Sequence, residues 1–359
     1  MTHSTSTTVR VSLPPRQGFG YDVVIDHGLR RRAGELISAV LPPCRVLLLT
    51  DDTVEALYAA EVTASLSEAG FSVVSHVIPH GEASKSAANL ILLLEKMASE
   101  HLTRSDLLVA LGGGVVGDLG GFAAAVYQRG IRFVQMPTTL LAMVDASVGG
   151  KTAIDLAAGK NLCGAFHQPS LVICDTECLD TLSPEILADG MAEVIKYAFI
   201  GDRPLFELLQ GDAPDMAHTI RLCVEDKRGL VEADETDRGV RQLLNLGHTV
   251  GHAIEACSDF AVSHGSGVAM GMVIITRAAE RLGICRAGTL DALLSLLGKY
   301  GLPTECPFTT EQLYAAALSD KKRAGESLTL AVPYGVADTR LVTVPVDALE
   351  GYIRAGLAE

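Results

Sequence analysis

The sequence predicts an α/β protein in two parts: a Rossmann-like layer over residues 1–181, then a mostly helical domain over residues 182–359. Three observations carry this. Short apolar, β-rich runs alternate with helical stretches through the first half, as in a doubly wound parallel sheet. One of them, Leu107–Leu111, leads directly into Gly112-Gly-Gly114-Val-Val-Gly117-Asp118-Leu-Gly-Gly121. From about Leu182 the pattern changes to long helical periods, and 359 residues exceed the usual size of a single core.

Strands are expected at Tyr21–Asp26, Arg45–Thr50, Ser72–Ile78, Leu107–Leu111, Arg132–Met136 and Leu171–Cys174. Several are apolar throughout, as parallel strands covered on both faces must be. The glycine cluster after the fourth strand reads as a turn opening a helix. There the backbone can approach a pyrophosphate and the helix N-terminus supplies N–H groups. Its spacing is not GxGxxG, so a tight structural turn is an equal alternative. Ser183-Pro184-Glu185 opens the helical half, with Ser suited to capping and Pro to the first helical position. Late strands are expected at Leu328–Val332 and Leu341–Val344.

Composition excludes several classes. Net charge is −14, Trp is absent and aromatics are 5%, which argues against nucleic-acid binding and for a soluble cytoplasmic protein. Met1–Thr8 reads as a polar tail rather than a signal peptide, and Asp118, Pro137 and Asp145 interrupt the most apolar stretches, so no membrane span is expected. The eight cysteines lack CxxC spacing, and even the nearest pair, Cys174 and Cys178, reads as buried free thiols.

Chemistry concentrates between Glu193 and His264. The segment holds Gly-Met-Ala-Glu193-Val-Ile-Lys196, then Asn245-Leu-Gly-His248-Thr-Val-Gly-His252-Ala-Ile-Glu255, then Ser263-His264-Gly265. Residues four apart share a helix face, so His248 and His252 can point into one cleft, while Glu193 and His264 must arrive from other elements. Two imidazoles and a carboxylate with one position open form a catalytic rather than a structural Zn2+ set. A helix bearing HxxxH is also common without metal. Pro79-His80-Gly81-Glu82-Ala-Ser-Lys85 offers an acid and a base after a strand. Lys151 and Lys160 lie in Gly- and Ala-rich surroundings, either solvated or holding an anion.

In order along the chain stand GGGVVGD, MPTTLLAMVDASVGGKTAID, GKNLCGAFHQP, GMAEVIKY, LLNLGHTVGHAIE and SDKK. With these motifs the chain resembles the 3-dehydroquinate synthase family of the sugar phosphate cyclases from about Tyr21 to Val344. The resemblance implies tightly bound NAD+, a divalent metal (Zn2+ or Co2+), a homodimer and the substrate 3-deoxy-D-arabino-heptulosonate 7-phosphate. The implied reaction oxidises the substrate transiently, eliminates phosphate, restores the hydride and closes 3-dehydroquinate by an intramolecular aldol step.

Carried over residue by residue, the resemblance makes Glu193, His248 and His264 metal ligands. It lines the NAD site with His80, Gly81, Glu82, Ala83, Ser84, Lys85, Gly114, Val115, Val116, Gly117, Asp118, Thr138, Thr139, Cys178, Leu179, Asp180 and Thr181. Lys151 and Lys160 stand at its boundary with substrate. Asp145, Lys151, Lys196, Lys227, Arg241, Asn245 and His252 complete the catalytic pocket, with Arg241 and Lys227 nearest the substrate carboxylate. Lys151, Asn161, one of Lys321 and Lys322, and Arg129 from a second subunit serve the phosphate.

Three positions depart from the family pattern: Asp237 replaces Glu, His264-Gly-Ser266-Gly267 replaces His-Gly-Glu-Ala, and His80 replaces Asp. The first two bear on the support behind the site. The nearest alternatives are an aminodehydroquinate synthase or a 2-epi-5-epi-valiolone synthase, and more distantly a metal-dependent polyol dehydrogenase. Asn245 and Gly149-Gly150-Lys151 favour dehydroquinate synthase.

Overall fold

The computed structural model describes residues 20–321 and 327–357. Six parallel strands form the central sheet: β1 (Asp22–Asp26), β2 (Arg45–Asp51), β3 (Ser72–Ile78), β4 (Leu107–Gly112), β5 (Arg132–Pro137) and β8 (Leu171–Asp175). Their order is β1-β8-β5-β4-β2-β3. All six match the runs expected from apolar character. Alternation along β2 sends Val46 and Leu48 to one face, with Tyr58, Val62 and Leu66 of the following helical segment. Leu47 and Leu49 go to the other face, with Leu93 and Leu119. Elements after β2 and β4 thus cover opposite faces, which opens a crevice at the carboxyl ends of these neighbouring strands.

A strand pair between β5 and β8 was not expected. β6 (Lys151–Leu156) and β7 (Gly159–Phe166) form an antiparallel hairpin that packs along the Gly114–Val126 helix. Its sequence, KTAIDL and GKNLCGAF, lacks the β-branched alternation that marks a strand, so tertiary contact selects it.

The helical half begins at Pro184–Ile200, where Ser183 Oγ caps Ile186 N–H at 3.3 Å. Met216–Ala233, His248–Cys257 and His264–Arg281 follow. The last of these is buried along most of its length between the His248–Cys257 and Ala348–Gly356 helices. An antiparallel ribbon of β9 (Ser327–Gly335) and β10 (Asp338–Pro345) packs beside them, extending the two expected late strands. Val194, Ile195 and Ala198 share one apolar cluster with Val109, Val134 and Ile173, so packing is continuous from the sheet into the first helix of the second half. No described helix is long and apolar enough to cross a membrane.

Candidate active site and metal centre

The residues assigned to the dinucleotide gather at one edge because each follows a strand end. His80–Lys85 succeed β3, Gly114–Asp118 open the helix after β4, Thr138 and Thr139 leave β5, and Cys178–Thr181 lie in the turn after β8. The Thr138 N–H donates to Gly112 O at 3.0 Å, tying adjacent strand ends together. Within this edge Lys85, 5% exposed, pairs with Asp118 at 2.6 Å and donates to Asn161. Burial pushes the Asp118 carboxyl up to about 6, with Lys85 opposing. His80 is exposed and meets Asp52 through Nδ1 at 2.7 Å.

The metal candidates come from three helices. Glu193 lies midway along Pro184–Ile200, His248 opens its helix, and His264 opens the next. Gly247 has φ +79°, and a Cβ there would stand 2.6 Å from Val268 O. Only glycine admits this turn into His248 at so close a helix crossing. Glu193 Oε1 lies 3.5 Å from His248 Nε2 and 3.4 Å from His264 Nε2. Donors around tetrahedral Zn2+ at about 2.0–2.1 Å stand about 3.3 Å apart, so the spacing suits such an ion.

The donor set also has the right chemistry. Glu193 Oε1 is buried and accepts no hydrogen bond, an orphaned anionic oxygen that a cation would satisfy. His248 Nδ1 faces Leu246 O at 3.1 Å, which assigns its proton there and turns the Nε2 lone pair toward Glu193. Burial holds the His248 imidazole down to about 3 and therefore neutral. His264 differs: burial opposes its charge, but Glu193 and Glu255 raise it to about 10. His252 stands with its ring 5.5 Å from His248 and 5.9 Å from His264.

Beside these donors is a buried charge cluster. Lys196, one turn after Glu193, pairs with it and lies 3.7 Å from Asp145. Asp145 also receives Lys227 Nζ at 2.9 Å and the Tyr197 hydroxyl at 2.8 Å. Burial disfavours the Asp145 charge, yet Lys227 and Lys196 hold the carboxyl well below its usual range. Burial pulls the Lys227 ammonium down to about 8 against the attraction of Asp145. Arg241, 1% exposed, donates from Nη2 to Gly149 O at 3.0 Å and from Nη1 to Glu235 O at 2.6 Å. Its Nε is buried without a partner. Gly149 is required here: φ is +93°, and a Cβ would stand 2.3 Å from Arg241 Nη2.

Other assigned residues are more dispersed. Lys151 pairs with Asp237, so that carboxylate serves Lys151, while the backbone N–H of Arg241 goes to Asp234 at 3.2 Å. Lys160 Nζ lies 3.0 Å from Glu255. Asn245 is exposed at the end of the Val240–Asn245 turn. Arg129 precedes β5 while Thr138 follows it, which puts it at the opposite end of that strand, about 20 Å away at 3.3 Å per residue. It is exposed on a turn where Gln128, Arg129 and Gly130 all have positive φ. Lys322 and the side chain of Lys321 lie outside the described residues. Motif reading includes Tyr197 and Glu255 without giving either a role. Glu255, seven residues after His248, shares its helix face, the one signal that could have found it.

The chain is similar to known proteins over nearly its whole length. Residues 75–189 match the family model for the 3-dehydroquinate synthase N-terminal region, and residues 190–323 match that for its C-terminal region. A 3-dehydroquinate synthase of Enterococcus faecalis is 41% identical over 351 residues, covering 96% of this chain and 97% of its own. One from Caulobacter vibrioides is 46% identical over 348 residues, covering 92% and 93%. A solved 2-epi-5-epi-valiolone synthase from Streptomyces hygroscopicus subsp. jinggangensis 5008, with NAD+ and Zn2+ bound, superposes with a TM-score of 0.86 at 28% identity, covering 96% of this chain and 98% of its own. By sequence and by fold, the chain belongs to the 3-dehydroquinate synthase family.

Proposed function

We propose that the protein is a 3-dehydroquinate synthase, a phosphate-eliminating lyase acting on 3-deoxy-D-arabino-heptulosonate 7-phosphate. The observation that carries this is the Glu193–His248–His264 donor set with the buried, orphaned oxygen of Glu193, set beside the buried cations Lys196, Lys227 and Arg241. When bound, NAD+ supplies a reversible hydride acceptor, and Zn2+ or Co2+ acidifies the substrate hydroxyls it contacts.

The chain's own groups then bind and orient. Arg241 is fixed by two backbone carbonyls, leaving Nε as a desolvated donor for the substrate carboxylate. Lys227 and Lys196 bring positive charge to the same pocket, and Asp145 with Tyr197 holds them in place. Such preorganised charges stabilise developing anions without reorganisation. Gly114–Val116 would meet the dinucleotide pyrophosphate through helix N-terminal N–H groups. Arg129 would serve the phosphate of a partner's site, since it sits far from its own chain's carboxyl edge, which makes the working unit a homodimer. The setting is cytoplasmic. As a reading of domains, residues 1–181 carry the cofactor and residues 182–359 the metal and substrate.

The test is a substrate panel with the metal-loaded, NAD+-supplied protein, following inorganic phosphate and ring product. Heptulosonate phosphate should give both. Turnover of sedoheptulose 7-phosphate in its place would assign the neighbouring cyclase activity instead.

A further inference from the structure

Glu255 has no role in the reading above, yet both its oxygens are committed. It is 2% exposed on the His248–Cys257 helix, with Oε1 2.9 Å from His264 Nδ1 and Oε2 3.0 Å from Lys160 Nζ. Lys160 reaches it from the β6–β7 hairpin of the other half of the chain. The ammonium also lies 4.6 Å over the Phe260 ring and 3.8 Å from Glu82 Oε1. Close helix contact makes the arrangement possible: a Cβ on Gly267 would stand 3.1 Å from Gly251 O and 3.3 Å from Glu255 Cγ.

We propose that Glu255 is a positioning residue of the metal centre, orienting His264 and braced by Lys160 from the sheet half. A carboxylate on Nδ1 fixes the proton there, sets the ring angle and leaves Nε2 facing Glu193 as a ligand. The proposal rests on Glu193, His248 and His264 being the ligands. His252, Glu255 and His264 also lie close enough to hold a cation of their own. Lys160 already places a positive charge against Glu255, so the carboxylate acts as an acceptor rather than a ligand. The brace joins the hairpin, whose Asn161 accepts from Lys85 at the cofactor edge, to the imidazole at the metal.

Zn2+ affinity of the full metal-stripped chain, measured by competition with a chromogenic chelator, tests the role without assaying turnover. Glu255→Gln keeps the shape and should bind Zn2+ about 10- to 100-fold more weakly than the unaltered chain, with unchanged circular dichroism. Equal affinity in the two proteins overturns the positioning role while leaving the metal reading intact. An unaltered chain that takes up no Zn2+ overturns both. Should Glu255→Gln fail to fold, Lys160→Met alters only a partly exposed side chain. In nitrogen-15 histidine spectra of its Zn2+ form, the His264 Nδ1 proton should exchange with water several-fold faster; unchanged exchange overturns the brace.

Discussion

At the carboxyl edge of the sheet the groups proposed to meet the dinucleotide include backbone and small side chains, at Gly114, Thr138 and Thr139. Their placement follows from where β4 and β5 end. At the pole of the helical half the groups are Glu193, His248 and His264, from three helices, each tied to its own partner: Lys196, Leu246 O and Glu255. The edge is therefore a property of topology and the pole a property of particular side chains. Single substitutions should be far more damaging at the pole than at the edge.

The largest expected effect follows from removing a pole ligand. His248→Ala should lose stoichiometric Zn2+ and with it turnover, and chelation of the unaltered enzyme should do the same until Zn2+ or Co2+ is restored. Metal analysis alongside the assay checks this; full turnover by metal-free protein would break the comparison.

Next comes Arg241, proposed above to hold the substrate carboxylate. Arg241→Lys keeps the charge but loses the planar fork held by Gly149 O and Glu235 O. A charge-assisted contact of this kind contributes roughly 1.5–3 kcal/mol, so kcat/KM should fall about ten- to a hundredfold.

A smaller effect should appear with pH. Burial holds the Lys227 pKa down to about 8, so its ammonium is complete below that pH and lost above it. KM for the anionic substrate should be flat below about pH 8 and rise up to about tenfold per unit above it, as one proton's loss requires. Lys227→Arg should move the break upward; an identical break in that variant would assign it elsewhere.

The edge should show the smallest change. Thr139 lies against Gly113 and its hydroxyl accepts from Ala142 N–H at 3.3 Å. Thr139→Val removes one neutral hydroxyl, worth about 0.5–1.5 kcal/mol, so NAD+ affinity measured by calorimetry should weaken less than about tenfold. A loss as large as that from Arg241→Lys would erase the distinction between edge and pole.

The same distinction governs what the sequence discloses. The inner strands β2, β4, β5 and β8 are legible because burial on both faces forces continuous apolar runs, and Ser183-Pro184 marks its helix start through local capping chemistry. The β6–β7 hairpin is not legible: Lys151, Lys160, Asn161 and the intervening Ala and Gly residues carry no strand signal, and the hairpin is held by the Gly114–Val126 helix. At the pole, four-residue spacing pairs His248 with His252 on one face. The structure keeps that pair 5.5 Å apart ring to ring, and it also brings Glu193 and His264 to His248 from two other helices, a meeting that no local spacing reports. Asp237 stands in the same class. Its position marks it only as a carboxylate supporting the site, and the fold pairs it with Lys151.

In the proposed reaction edge and pole act on one substrate within one turnover, so the hydride leaves and returns. Its most direct measurement follows phosphate release and NADH absorbance together, using metal-loaded enzyme, heptulosonate phosphate in large excess and NAD+ equimolar with enzyme. Many equivalents of phosphate should appear with no accumulation of NADH. NADH rising in step with product, or phosphate release stopping after one equivalent, would contradict the account.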